Sequence, residues 1–158
     1  MKKYILERQT LLKTTINKAW DFFSDPGNLV EITPPDMKFR IVSQDLPAKV
    51  FSGLKLQYKV QPLLGINMNW VSEIKEVKEP CFFADDQKKG PYALWYHEHS
   101  FEEVGGGVLM KDKVTYALPY GFVGRIAHFF IVEKRLCGIF DFRTKAIEKF
   151  FPGSKENV

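Results

Sequence analysis

The stretch Trp95-Tyr96-His97-Glu98-His99-Ser100-Phe101 sets two imidazoles two residues apart between large aromatics. In a strand, successive side chains point to opposite faces, so Trp95, His97, His99 and Phe101 share a face that the aromatics mark as the inner one. The glycine cluster Gly105-Gly106-Gly107 then suits a hairpin turn. On the returning strand Met110, Asp112, Val114 and Tyr116 share a face against Lys111, Lys113 and Thr115. If Glu103 pairs with Val108, Phe101 faces Met110, His99 faces Asp112, His97 faces Val114 and Trp95 faces Tyr116. An inward carboxylate is costly unless paired, so a His99–Asp112 contact is expected on physical grounds.

Four kinds of chemistry fit such a pair. It can be a buried polar contact that fixes strand register, or the polar anchor of an otherwise apolar ligand cavity. It can also be a general acid/base, His99 tuned by Asp112, although no nucleophile or oxyanion donor can be picked out beside it. A facial triad of His97, His99 and Asp112 would suit a metal, but His97 is set beside Val114 and no further ligand supports it, so no metal and no cofactor are expected. Ser100 alternates outward, against a Ser/His/Asp triad. The glycine cluster lacks the spacing of a dinucleotide-binding turn. Asp85 and Asp86 are expected at the surface near a strand end, and His128 at the edge of a helix.

These residues need elements to hold them. Residues 4–12 carry strand formers, and Thr14-Thr15 offers helix caps before Ala19-Trp20-Asp21-Phe22-Phe23. A second helical turn, Asn28 to Ile32, is stopped by Thr33-Pro34-Pro35, because the residue before a proline is pushed out of the helical region. From Met37 the apolar period becomes two, through Leu54-to-Gln61, Asn67-to-Val77, Cys81-to-Asp86 and the hairpin. Seven strands are expected. After Pro119 the period is helical: from Arg125 to Phe151 apolar residues, Ile126, Phe129, Phe130, Val132, Leu136 and Phe140 among them, recur at three- and four-residue steps. About 25 residues make a helix of roughly 38 Å, long enough to cross a sheet. The order describes an α+β architecture in which a curved antiparallel sheet grips one C-terminal helix.

Composition fits one core. The 158 residues are 45% hydrophobic and 27% charged, which excludes disorder, collagen and coiled coil, and suit a single domain over 1–158. Phe 14, Tyr 6 and Trp 3 are enough rings either to overfill that core or to line a guest's cavity. The formal charge of +4 is spread without a block of like charges, so no nucleic-acid partner is expected. Cys81 and Cys137 match no metal or redox spacing and read as reduced, buried small hydrophobes. The first residues lack a signal-like apolar run, and Phe122 to Val132 is too short to span a bilayer. A cytoplasmic protein without stable membrane insertion is expected; its oligomeric state is not legible.

The segments Ala19-Trp20-Asp21-Phe22-Phe23-Ser24-Asp25-Pro26, Leu29-x-x-Ile32-Thr33-Pro34-Pro35-Asp36-Met37, Gly90-Pro91-Tyr92-x-x-Trp95-x-His97-x-His99-x-Phe101 and Met110-x-Asp112-x-Val114-x-Tyr116-x-Leu118-Pro119 together resemble the SRPBCC superfamily, which includes START lipid-transfer domains, pollen allergens and polyketide cyclases. The similarity is nearest to a bacterial-type subgroup of uncharacterised members. It implies a helix-grip fold with a deep cavity between sheet and helix for a hydrophobic small molecule such as a lipid, polyketide, isoprenoid or aromatic metabolite. The expected contacts are Phe39, Tyr58, Trp70, Trp95, Tyr116, Phe129 and Phe140, with His97, His99 and Asp112 as polar anchors. The alternatives are a cyclase or dehydratase using His99 and Asp112 as general acid/base, or a scaffold in which the pair is only structural.

Overall fold

The computed structural model describes residues 1–156. Strand β1 (Tyr4–Leu12) leads into α1 (Ile16–Phe23), where Thr15 caps the first turn by accepting from the Lys18 amide. Two 3₁₀ segments follow, Pro26–Ile32 and Pro35–Met37, the first capped by Asp25. Strands β2 (Arg40–Ile41), β3 (Lys55–Val60), β4 (Met68–Lys78), β5 (Phe82–Lys89), β6 (Leu94–Val104) and β7 (Gly107–Ala117) then form an antiparallel meander. Strand β1 joins the β7 side, giving the order β2-β3-β4-β5-β6-β7-β1-β8. This is the α+β helix grip expected, with an eighth strand, the two-residue β8 (Lys155–Glu156), added on β1.

Burial alternates along β3 and β7 as the apolar period demands, so one sheet face is packed and the other meets solvent. The β6–β7 register is the one the alternation predicts: Glu103 opposes Val108, His99 opposes Asp112 and Trp95 opposes Tyr116. Glycine is required at the turn. Gly106 and Gly107 both have positive φ, and a Cβ on Gly107 would run into the carbonyl oxygen of Leu12 on β1.

The C-terminal helix runs from Gly121 to Phe150 as α2 (Gly121–Ala127), one π turn (His128–Val132) and α3 (Glu133–Phe150). Its buried line is Gly124, His128, Val132, Leu136, Phe140, Arg143 and Ile147. Two apolar clusters result. One gathers Trp20, Phe83, Phe101, Met110 and Ile147; the other gathers Val114, Tyr116, Val132, Leu136 and Phe140. Between them the same strands and the same helix present His97, His99, Asp112 and Arg143, so a polar layer divides the interior.

Candidate functional site

Asp112 is the hub of that layer. Its side chain is only 2% exposed and touches three partners. His97 Nε2 lies 3.1 Å from Oδ1, the Arg143 Nε–H donates to Oδ2 at 3.0 Å, and Arg143 NH2 donates to Oδ1 at 3.4 Å. His99 Nδ1 is 2.8 Å from the same Oδ1, but off the line of a hydrogen bond, so this contact is one of charge. The His99 Nε2 on the opposite edge of the ring faces Asp85 Oδ1 at 3.6 Å. Strand alternation sets His97 and His99 side by side, ring centroids 3.8 Å apart, and His99 stacks on Phe83 at 4.2 Å. Arg143 reaches Asp112 from α3 and so links helix to sheet.

The environment separates the two imidazoles. Burial, and then the neighbouring His99, push the pKa of His97 down and favour its neutral form, against the pull of Asp112. Burial also opposes charge on His99, but Asp112 and Asp85 outweigh it and raise its pKa. Burial alone would lift Asp112; the Arg143 guanidinium and the two imidazoles instead hold it well below the usual carboxylate range. With His99 protonated, two carboxylates, Asp85 and Asp112, are balanced by two cations, His99 and Arg143. Balance of this kind is what permits four ionisable groups to sit in an interior.

The layer forms one wall of a cavity of about 190 Å³ between sheet and helix. Leu29 and Ile32 of the first 3₁₀ segment close one side, Phe39, Tyr58 and Trp70 another, and Leu136 and Phe140 the helix side. Asp85, His97, His99 and Arg143 reach its surface, as does Ser72, whose hydroxyl accepts from the Trp70 indole at 3.1 Å. Burial raises the Tyr58 phenol, and the charge of Asp85 acts in the same sense. Asp85, His97 and His99 offer ligand atoms within 4.8 Å of one another, a composition that could hold a metal. Asp112 is not in this set, because it sits behind the imidazoles and engages His97 Nε2.

Of the contacts expected from sequence, Phe39, Tyr58, Trp70, Trp95, His97, His99 and Phe140 line the cavity. Asp112 and Tyr116 do not. Asp112 supports the lining from behind, and Tyr116 is packed among Tyr4, Tyr92 and Trp95 with its hydroxyl 2.8 Å from His128 Nε2. That phenol is pushed up to about 12, first by burial and then by Glu133. Phe129 faces solvent at 73% exposure, and Ile126 and Phe130 are exposed with it. The wide π turn sets His128, not Phe129, on the face of Val132, so His128 is a buried member of the helix line rather than an edge residue. Asp85 is inward rather than superficial, opposite His97 on β6. Cys81 is exposed and Cys137 half-buried, not the core hydrophobes expected. Arg143 was missed altogether, although it is the one charge on the helix's buried line.

Comparison with known proteins places the fold and nothing narrower. No family model matches the sequence, and no curated protein matches it. Among solved structures, protein Ms6760 from Mycobacterium smegmatis superposes with a TM-score of 0.68 at 14% identity, over 94% of this chain and 91% of that one. Protein CV1439 from Chromobacterium violaceum gives 0.68 at 11% identity, over 96% and 98%. Ara h 8.0201 gives 0.59 at 16% identity, over 94% and 97%. The chain therefore has the helix-grip fold found in these bacterial proteins and in Ara h 8.

Proposed function

We propose that this protein binds a hydrophobic small molecule in the cavity between sheet and helix, with a polar group of the ligand turned toward Asp85, His97, His99 and Arg143. The observation that carries the reading is the cavity itself, apolar on most sides and bounded on one by a charge-balanced layer. Convergent polar groups in an aromatic hollow give a ligand orientation as well as burial. The volume limits the guest: an apolar cavity of about 150 Å³ takes benzene, so about 190 Å³ fits one or two rings or a short branched chain. Longer lipids, polyketides or isoprenoids would leave part of their length outside the cavity or need the helix or the 3₁₀ segments to move.

Native mass spectrometry of protein purified from its own host should show a bound small molecule. Leu56 on β3 is buried and also lines the cavity, so Leu56→Trp, which fills it, should abolish that adduct and the uptake of an environment-sensitive apolar dye. A consistently empty chain without dye uptake would overturn the reading.

A second reading is favoured by the orientation of His99. One nitrogen lies against the Asp112 carboxylate, whose charge favours a proton on the ring, and the other faces Asp85 in the cavity wall, a setting in which an imidazole can act as the general acid/base of a cyclase or dehydratase. It requires that His99→Gln keep ligand uptake while removing turnover of the bound species; equal turnover in that variant would dismiss it.

A further inference from the structure

The first half of the C-terminal helix is apolar on two sides. Gly124, His128 and Val132 face the sheet, while Phe122, Val123, Phe129 and Phe130 stand 66%, 67%, 73% and 70% exposed on the other side. A soluble helix ordinarily has one apolar stripe, and a contiguous apolar face left in water marks a binding surface. Arg135 donates to the Pro62 carbonyl at 3.1 Å, tying down the β3–β4 loop on which Leu64 and Ile66 are exposed.

Charge indicates what covers it. Between Asp112 and Glu133 the sequence has no acidic residue. A groove beside the helix is lined by Met1, Lys2, Tyr120, Phe122 and Arg125, and by no acidic residue among those described. The Arg125 guanidinium lies over the Phe122 ring, 5.4 Å from its centre. A second copy of the chain, docked by the same face about a two-fold axis, would bring these cations against their own equivalents, with the exposed Glu133, one turn past Phe129, as the first carboxylate along the helix to answer them. An anionic lipid surface answers both features: acyl chains receive the exposed rings and headgroups receive Lys2 and Arg125, whose stems can run along the apolar face.

We propose that the Phe122–Ile131 face docks the protein peripherally on anionic membranes. No described helix is long and apolar enough to cross a bilayer, so the contact is interfacial. It does not depend on what the cavity holds.

Co-sedimentation of the full chain with vesicles of phosphatidylcholine and phosphatidylglycerol, against phosphatidylcholine alone, tests this. Binding should require phosphatidylglycerol and weaken with added salt. Lys2→Gln with Arg125→Gln should weaken it about 30-fold, at about fivefold per charge. Phe129→Ser with Phe130→Ser should weaken it at least about tenfold without lowering the melting temperature, since both rings are exposed. The cavity-filled Leu56→Trp should bind vesicles like the parent, which separates this proposal from ligand binding. Absence of binding to the mixed vesicles, or equal binding by the serine variant, overturns the proposal. So does a dimer in solution that the serine variant dissociates.

Discussion

Replacing Asp112 by Asn keeps the shape of the side chain and removes its charge, leaving the buried Arg143 without an anion on its Nε and NH2. Breaking a buried pair by taking away one partner costs 3–5 kcal/mol, and the remaining amide oxygen can still accept one bond, so about 3 kcal/mol is expected. For a chain of this size each kcal/mol moves the melting temperature by about 2–4 °C, which places D112N about 6–12 °C below the parent. The pH dependence carries a sign. Asp112 has a lowered folded pKa, so its stabilisation is present above the ordinary Asp value near 3.9 and lost as pH falls below it. His99 has a raised folded pKa, so its stabilisation is full below about 6.5 and lost as pH rises through the folded value. D112N should flatten the acid limb and, by NMR titration, lower the His99 pKa. The double variant D112N/R143M should recover much of the loss, because no uncompensated charge is left. Thermal melting from pH 3 to 9 reads the stability changes, and the NMR titration reads the His99 shift. A D112N protein that melts within about 1 °C of the parent would refute the account of Asp112 as the hub.

Asp85→Asn should change stability little at alkaline pH, where His99 has shed its proton, and lower it in acid, because the carboxylate 3.6 Å from His99 Nε2 helps hold that proton; the His99 resonance should titrate at lower pH than in the parent. Phe140→Ala should cost about 3–5 kcal/mol in urea unfolding and enlarge the cavity enough to admit a bulkier dye, and unchanged dye selectivity would contradict the placement of Phe140 in the wall. Tyr116→Phe should cost about 1–3 kcal/mol, since it leaves the His128 nitrogen buried without its partner, while ligand uptake stays as in the parent.

The hairpin was legible because strand alternation has a period of two and the glycine turn fixes the offset, so the meeting of His99 with Asp112 followed from the positions of residues alone. Asp85 was not legible. Ala84-Asp85-Asp86-Gln87 has no apolar alternation to mark a face, and the β4–β5 ladder that sets its direction is irregular. Arg143 left a readable trace, a charge at the seven-residue interval after Leu136 and three after Phe140 on the buried line, and an inward Asp on β7 called for such a partner. Phe129 was assigned to the wrong side because steps of three and four assume an unbroken α-helix, and a π turn is invisible to that periodicity. The apolar face it belongs to reads as core in any sequence pattern, since patterning shows what is apolar and not what is covered.

The polar layer also acts on the folding chain as a check on how β7 aligns. Asp112 is flanked by Lys111 and Lys113. A slip of one residue would turn every side chain of the strand to the opposite face, sending the carboxylate out and one or both lysines in toward Arg143 and the imidazoles. A misaligned strand would therefore meet two like charges in a dry interior, a penalty far larger than that of a misplaced valine. Strands built only of alternating aliphatics offer no such discrimination, and the layer gives this hairpin one alignment that the helix can accept.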